Sequence, residues 1–219
     1  MRGLLFLLLI VSTVFPGRVM AQDDSLSCRL TPFVKGGLSI GFLEGNASSM
    51  TSVGHTGFHI AAGIFIPFTS NPRGFCLIPS LEFITKGDTW DLGERGRATL
   101  DMEYIELPID LAYYLSFRNW RLVFGAGGYV SYGVGGRLTG SDGLYIYHGY
   151  RLADKPDTFG PIIHADRWDG GLHLLGAAQW KHLFLTAEID KGLFRLVPGR
   201  LDRGNSSLTA ISLSLGWAF

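Results

Sequence analysis

Residues 103–115 read EYIELPIDLAYYL and alternate in character without a break. Ile105, Leu107, Ile109, Leu111 and Tyr113 fall on one side of an extended strand, and Tyr104, Glu106, Asp110 and Ala112 on the other, because successive side chains of a strand point to opposite faces. The first side is broadly apolar; the second carries two carboxylates. Pro108 has no amide hydrogen, so the strand needs a bulge or a missing ladder bond there. Which side meets the interior decides the fold. A soluble barrel would bury the apolar face, and a membrane barrel would turn it to lipid.

The same period of two recurs in seven other segments, giving eight in all. In Val34–Phe42, Lys35 and Ser39 oppose Val34, Leu38 and Ile40; in Gly57–Ile66, His59 opposes Phe58 and Ile60. Glu82 and Lys86 oppose Leu81 and Phe83 in Phe75–Lys86, and Arg121 and Tyr129 oppose Trp120, Phe124 and Val130 in the segment after Asn119. Asp169, His173 and Gln179 then oppose Leu172, Leu174 and Trp180, while Glu188 and Asp190 oppose Leu185 and Ile189. The last segment sets Ile211, Leu213, Leu215, Trp217 and Phe219 against Ser212, Ser214, Gly216 and Ala218. Each offers the length of about 9–11 residues that a tilted strand needs to cross a bilayer.

The connections alternate in length. Thr69–Gly74, Ser116–Asn119 and Lys181–His182 are short, whereas Glu44–Thr56, Gly87–Thr99, Gly135–Trp168 and Val197–Ser206 are long. Short turns at one end and long loops at the other predict an all-β fold, an eight-stranded antiparallel up-and-down transmembrane β-barrel with short periplasmic turns and long extracellular loops. A soluble lipocalin-like barrel is the competing architecture. It would have to pack the broad Leu, Ile and Phe face into a narrow interior and leave Glu82, Glu106, Asp110, Arg121 and Glu188 outside.

Arg2 is followed by an apolar stretch to Phe15, then Pro16 and a Val19-x-Ala21 site, which reads as a secretory signal peptide over residues 1–21. Residues 22–219 are then the barrel domain. With Arg2 and Arg18 removed, the 19 acidic residues slightly outnumber the basic ones, so no footprint for nucleic acid remains. Glycine at 30 residues and aromatics at 13% suit a protein of many strands. Both cysteines, Cys28 ahead of the first strand and Cys76 opening the third, lie at the short-turn end, and an oxidising periplasm would allow them to pair.

The segments YIELPIDLAYYL (104–115), FGAGGYVSYGVGG (124–136) and LIPSLEFITKG (77–87), with the aromatic C-terminus, resemble the PorT-like outer-membrane β-barrel family. The resemblance spans nearly all of the chain after the signal peptide. It implies the eight-stranded barrel fold and a bacterial outer-membrane location. It implies no particular activity.

By parity, Lys35, Glu82, Lys86, Glu106, Asp110, Arg121, Asp169, Glu188 and Asp190 point into the lumen. An eight-stranded barrel is only wide enough inside for side chains, so these residues read as a salt-bridged plug. No catalytic set, metal cluster or cofactor motif is expected. GAGG at 125–128 lacks the third glycine and the helix of a dinucleotide fingerprint. The inward histidines, His59 and His173, have no serine partner at a recognisable spacing, and His164, Asp166 and Asp169 form no second cluster. The expected function is therefore a structural or interaction role in the cell envelope. The alternatives are a small passive, porin-like channel or, behind it, a lipid-acting barrel hydrolase. The expected partners are outer-membrane lipid, an envelope protein met through the long loops, and the barrel assembly machinery. For that machinery, Leu213, Leu215, Trp217 and Phe219 resemble a C-terminal assembly signal.

Overall fold

The structure, a computed structural model, describes residues 30–44, 51–141, 154–161, 163, 165–194, 196 and 206–219. The segment 1–21, Cys28 and His164 lie outside the described residues. The strands are β1 (Thr31–Glu44), β2 (Thr51–Ser52), β3 (His55–Pro67), β4 (Arg73–Asp91), β5 (Arg97–Phe117), β6 (Trp120–Gly140), β7 (Trp168–Trp180), β8 (Leu183–Gly192) and β9 (Ser207–Ala218). All pairings between them are antiparallel. Each strand from β3 to β9 pairs with the next, and β1 pairs with both β3 and β9. The result is a closed eight-stranded ring, with β2 an addition to the far end of β4. Closure gives every strand of the ring a partner on both sides, which is what allows a sheet to sit in hydrocarbon.

The ring is built in the sense that the alternation predicts. Leu38, Phe58, Leu81, Ile105, Leu111, Phe124, Leu172, Leu185 and Leu213 are exposed on the outside, and their neighbours one residue along are inside. The soluble alternative is thereby excluded. Aromatic residues mark both rims of the apolar band: Trp120, Trp180 and Trp217 lie at the short-turn end, and Tyr132 packs on Trp168 toward the loop end with ring centroids 5.1 Å apart. Such girdles are the interfacial signature of membrane barrels.

Pro108 is accommodated by an interrupted ladder. The β4/β5 pairing passes from Pro79↔Ile109 to Glu82↔Glu106 in unchanged register, with no partner for Pro108 between. The β3/β4 ladder opens beside Pro79 in the same way, between Gly63↔Ser80 and Ile66↔Leu77. The register shifts elsewhere, between β5 and β6 at Glu103/Tyr104.

The loop-end connections differ from expectation: β6 runs on to Gly140, Glu44–Thr56 holds β2, and the largest change is at the next one. Gly87–Thr99 reads as a long loop, but β4 runs on to Asp91 and β5 begins at Arg97, so that only Leu92–Gly96 turns. The reason is tertiary. Asp88 is fully buried and accepts hydrogen bonds from Ser52 Oγ at 2.8 Å, Gly54 N at 3.2 Å and Leu43 N at 3.3 Å, while β2 pairs with Trp90 and Asp91. These contacts hold a turn-rich sequence extended. With 19, 21 and 21 residues, β4, β5 and β6 project well past the other strands at the loop end.

Candidate functional site

Inward parity on a narrow ring crowds charged side chains from different strands into one space. All nine residues assigned to the lumen, Lys35, Glu82, Lys86, Glu106, Asp110, Arg121, Asp169, Glu188 and Asp190, are inside and buried. Eight of them form two clusters that make a polar belt across the middle of the barrel.

The first cluster is centred on β1, β3, β4 and β8. Lys35 Nζ donates to Glu188 Oε1 and lies 2.8 Å from Glu82 Oε1, and Ser80 Oγ donates to the same Glu82 oxygen at 2.9 Å. His59 faces the other oxygens: its Nδ1 is 3.5 Å from Glu82 Oε2 and 4.0 Å from Glu188 Oε2. Its Nε2 is hydrogen-bonded to Ser214 Oγ. That contact reaches across β1 at Gly37, which pairs with both His59 and Ser214. A Cβ at Gly37 would lie only 2.0 Å from Leu213 O, so the close approach requires glycine.

In the second cluster, Lys86 Nζ is 2.5 Å from Glu106 Oε2, 3.1 Å from Asp190 Oδ2 and 4.3 Å from the centre of the Tyr129 ring. Tyr129 OH donates to Asp169 Oδ2 at 3.0 Å. His173 ties the ends together, with Nδ1 2.8 Å from both Asp110 oxygens and Nε2 3.6 Å from Asp190 Oδ1. Arg121, the ninth residue, sits nearer the short turns. It donates to Ser116 Oγ at 3.3 Å and to Gln179 Oε1 at 3.4 Å, and its guanidinium lies 4.7 Å from the centre of the Phe65 ring. Among the described residues it joins neither carboxylate cluster.

The belt has an apolar layer on each side, which the parity reading did not separate from it. At the short-turn end Phe65, Cys76, Ile78, Ala112, Tyr114 and Val123 pack together, with Phe33 and Leu175 against them. At the loop end the layer is Ile84, Leu100, Met102, Tyr104, Leu196 and Leu208. Segment 154–161 folds over that mouth. Fully buried Thr158 donates its amide to Gly136 O and its hydroxyl to Asp101 O, both at 3.2 Å, and the Phe159 ring packs on Tyr104 at 5.8 Å. Gly133 is the seat of that ring: a Cβ there would lie 2.2 Å from Phe159 Cζ. A cavity of about 60 Å³ adjoins the belt on the short-turn side, lined mainly by apolar side chains such as Phe33, Phe65, Ile78 and Val123 and also by Lys35, Asp110, Arg121, His173 and Glu188. It is large enough for a few water molecules.

The sequence reading left His59 without a serine, and Ser214 is that serine, brought in from a strand at the opposite end of the chain. Ser214, His59 and Glu82 thus stand in line. They lie buried in mid-lumen, not at the outer rim where a lipid-acting hydrolase would need them. Cys76 is buried in the short-turn layer, with Sγ 3.6 Å from Ala112 O. Leu213, Leu215, Trp217 and Phe219 are exposed on the outer face of β9 and just beyond it, where Trp217 stacks on His182 at 5.3 Å.

Solved structures similar to the chain include neisserial surface protein A, at 11% identity and a TM-score of 0.46 over 86% of this chain and 97% of that one. They also include Ail, the attachment invasion locus protein of Yersinia pestis, at 11% identity and a TM-score of 0.44 over 87% of this chain and 99% of that one. A second structure of Ail, in complex with the heparin analogue sucrose octasulfate, aligns at 9% identity with a TM-score of 0.43 over the same shares. No curated protein matches the chain. Residues 20–197 match the family model described as outer membrane protein beta-barrel domain. With that match covering most of its length, the chain belongs to the outer membrane protein β-barrel domain family and resides in the bacterial outer membrane.

Proposed function

We propose that this barrel is a non-catalytic structural or interaction protein of the cell envelope, with a lumen that is a closed polar core rather than a pore. The observation that carries the reading is the layering of the interior, an ion-paired belt between two apolar layers. A water-filled channel would expose charged groups along a continuous path. Here Phe159, Tyr104 and Met102 stand at one mouth, and Phe65, Tyr114 and Val123 at the other. The Ser214–His59 contact lies behind both layers, which favours a structural role for it over hydrolysis of lipid.

Partners would be met at the loop end, where β4, β5 and β6 extend beyond the bilayer-spanning length of about 9–11 residues and offer a firm projecting surface. The strand motifs of β5 and β6 support a PorT-like placement within the family. During biogenesis, the barrel assembly machinery would read Leu213, Leu215, Trp217 and Phe219 on β9.

Photo-crosslinkers at Leu92 in the projecting turn and at Asn119 in a short turn would test the interaction role in native membranes. A discrete protein adduct from Leu92 and none from Asn119 is the expected result. The same adducts from both positions, or lipid adducts alone, would contradict it.

A further inference from the structure

We propose that His59, Glu82 and Glu188 form a binding site for a divalent transition-metal ion inside the lumen, with Ser214 orienting the imidazole and Lys35 holding the far oxygens of the two carboxylates. The site goes beyond the closed-core reading and does not depend on it.

The two lumen histidines differ in a way that points to a cation. His173 Nδ1 lies 2.8 Å from both oxygens of Asp110, the spacing of an ordinary hydrogen bond. His59 Nδ1 also faces carboxylates, but at 3.5 and 4.0 Å, and it is buried with no hydrogen-bond partner. In a tetrahedral metal site with bonds of about 2.0–2.2 Å, neighbouring ligand atoms stand about 3.3–3.6 Å apart. The 3.5 Å to Glu82 falls in that range, and the 4.0 Å to Glu188 lies a few tenths of an ångström beyond it. One ligand atom from each of His59, Glu82 and Glu188 can be chosen so that all lie within 4.8 Å of one another.

The partners on the far side fit the same role. When Nε2–H donates to Ser214 Oγ, Nδ1 carries a lone pair directed at two carboxylate oxygens. That arrangement is repulsive unless a cation or a shared proton lies between them, and a metal ion is the cation that the 3.5 and 4.0 Å spacings leave room for. A hydrogen bond to the non-ligating nitrogen is also the usual device for fixing the tautomer of a metal-bound histidine. Lys35 contacts the Oε1 atoms of Glu82 and Glu188, while His59 faces their Oε2 atoms, so the ammonium and a metal would use different oxygens. Charge balance points the same way. The belt holds six carboxyl groups, Glu82, Glu106, Asp110, Asp169, Glu188 and Asp190, against the ammonium groups of Lys35 and Lys86 and the imidazole of His173, which is already engaged by Asp110 and Asp190. An imidazole with two carboxylates suits zinc, manganese or ferrous ion.

The test uses the full chain folded in detergent micelles and stripped of metal. Zn²⁺ binding is followed by elemental analysis after gel filtration, and Co²⁺ binding by its visible ligand-field absorption. One equivalent should bind per barrel. His59→Gln and Glu188→Gln should each abolish it, Ser214→Ala should weaken it by about 10–100-fold, and His173→Gln should leave it unchanged. Absence of stoichiometric binding in the parent protein overturns the proposal, as does equal binding by the parent and the His59→Gln protein. Where either ligand variant fails to fold, the parent provides the decision through the ¹⁵N shifts of His59. Movement of Nδ1 on Zn²⁺ addition supports the site, and an imidazole insensitive to excess Zn²⁺ refutes it.

Discussion

Lys86 and Met102 stand opposite each other across β4 and β5 and are equally buried, each fully inaccessible, yet their side chains enter unlike surroundings. Lys86 meets Glu106, Asp190 and the Tyr129 ring. Met102 meets Ile84, Leu100, Tyr104 and Leu208. The belt around Lys86 is held by specific partners, and removing one leaves the others charged and dry. The layer around Met102 is held by volume, and its neighbours can relax into part of a lost side chain. The two parts of one lumen should therefore respond to mutation by different rules.

The largest effect is expected in the belt. Lys86→Met leaves Glu106 and Asp190 without their shared cation and should cost about 3–5 kcal/mol. This would appear as a lower urea midpoint for the barrel in micelles. Lys86→Met combined with Glu106→Gln and Asp190→Asn should recover much of that loss, whereas an unchanged midpoint in the single variant would show the belt to be hydrated.

Next comes the short-turn layer, which contains Cys76. We propose that Cys28 pairs with Cys76 across the barrel mouth, and loss of that bond in Cys28→Ser should cost about 2–4 kcal/mol under oxidising conditions and nothing in reductant. Two free thiols on titration of the unfolded, unreduced protein would rule the bond out.

Met102→Ala in the opposite layer should cost about 2–3 kcal/mol through the cavity it leaves. Unlike the belt substitution, it should be rescued by Leu at the same position.

The smallest effect belongs to the exposed pair at the extracellular rim. Hydrogen bonds from Lys191 and Thr209 hold the Glu44 carboxyl below its ordinary range. A carboxyl shifted down contributes stability above its unfolded value and loses it as pH falls through the lowered one. Glu44→Gln should therefore cost about 0.2–1 kcal/mol at neutral pH and nothing in strong acid, as read from urea midpoints across pH.

Much of the fold was legible because a strand sorts its residues with a period of two. Leu213 and Ser214 are told apart by position alone, and so are Ile105 and Glu106. Partner choice was not legible in that way. Ser214 meets His59, and Lys35 meets Glu188, only because ring closure places β9 and β8 beside β1 and β3, and no local pattern carries that information. The apolar layers were written in the sequence at inward positions near strand ends, as Phe65, Ile78 and Val123, or Met102 and Leu208. Parity assigns them to the same inward face as the charges between them, so it does not mark them as separate layers. The extension of β4 and β5 was missed because Gly87, Asp88, Gly93 and Gly96 have turn chemistry, and it took the buried Asp88 and its contacts from Ser52, Gly54 and Leu43 to hold that chain straight.

Single-channel recording in planar bilayers tests the closed lumen most directly. The parent barrel should insert without a steady conductance, and a Phe159→Ala/Met102→Ala variant, which thins the loop-end layer, should at most flicker. A stable, water-filled open level in the parent protein would contradict the sealed belt and make this barrel a channel.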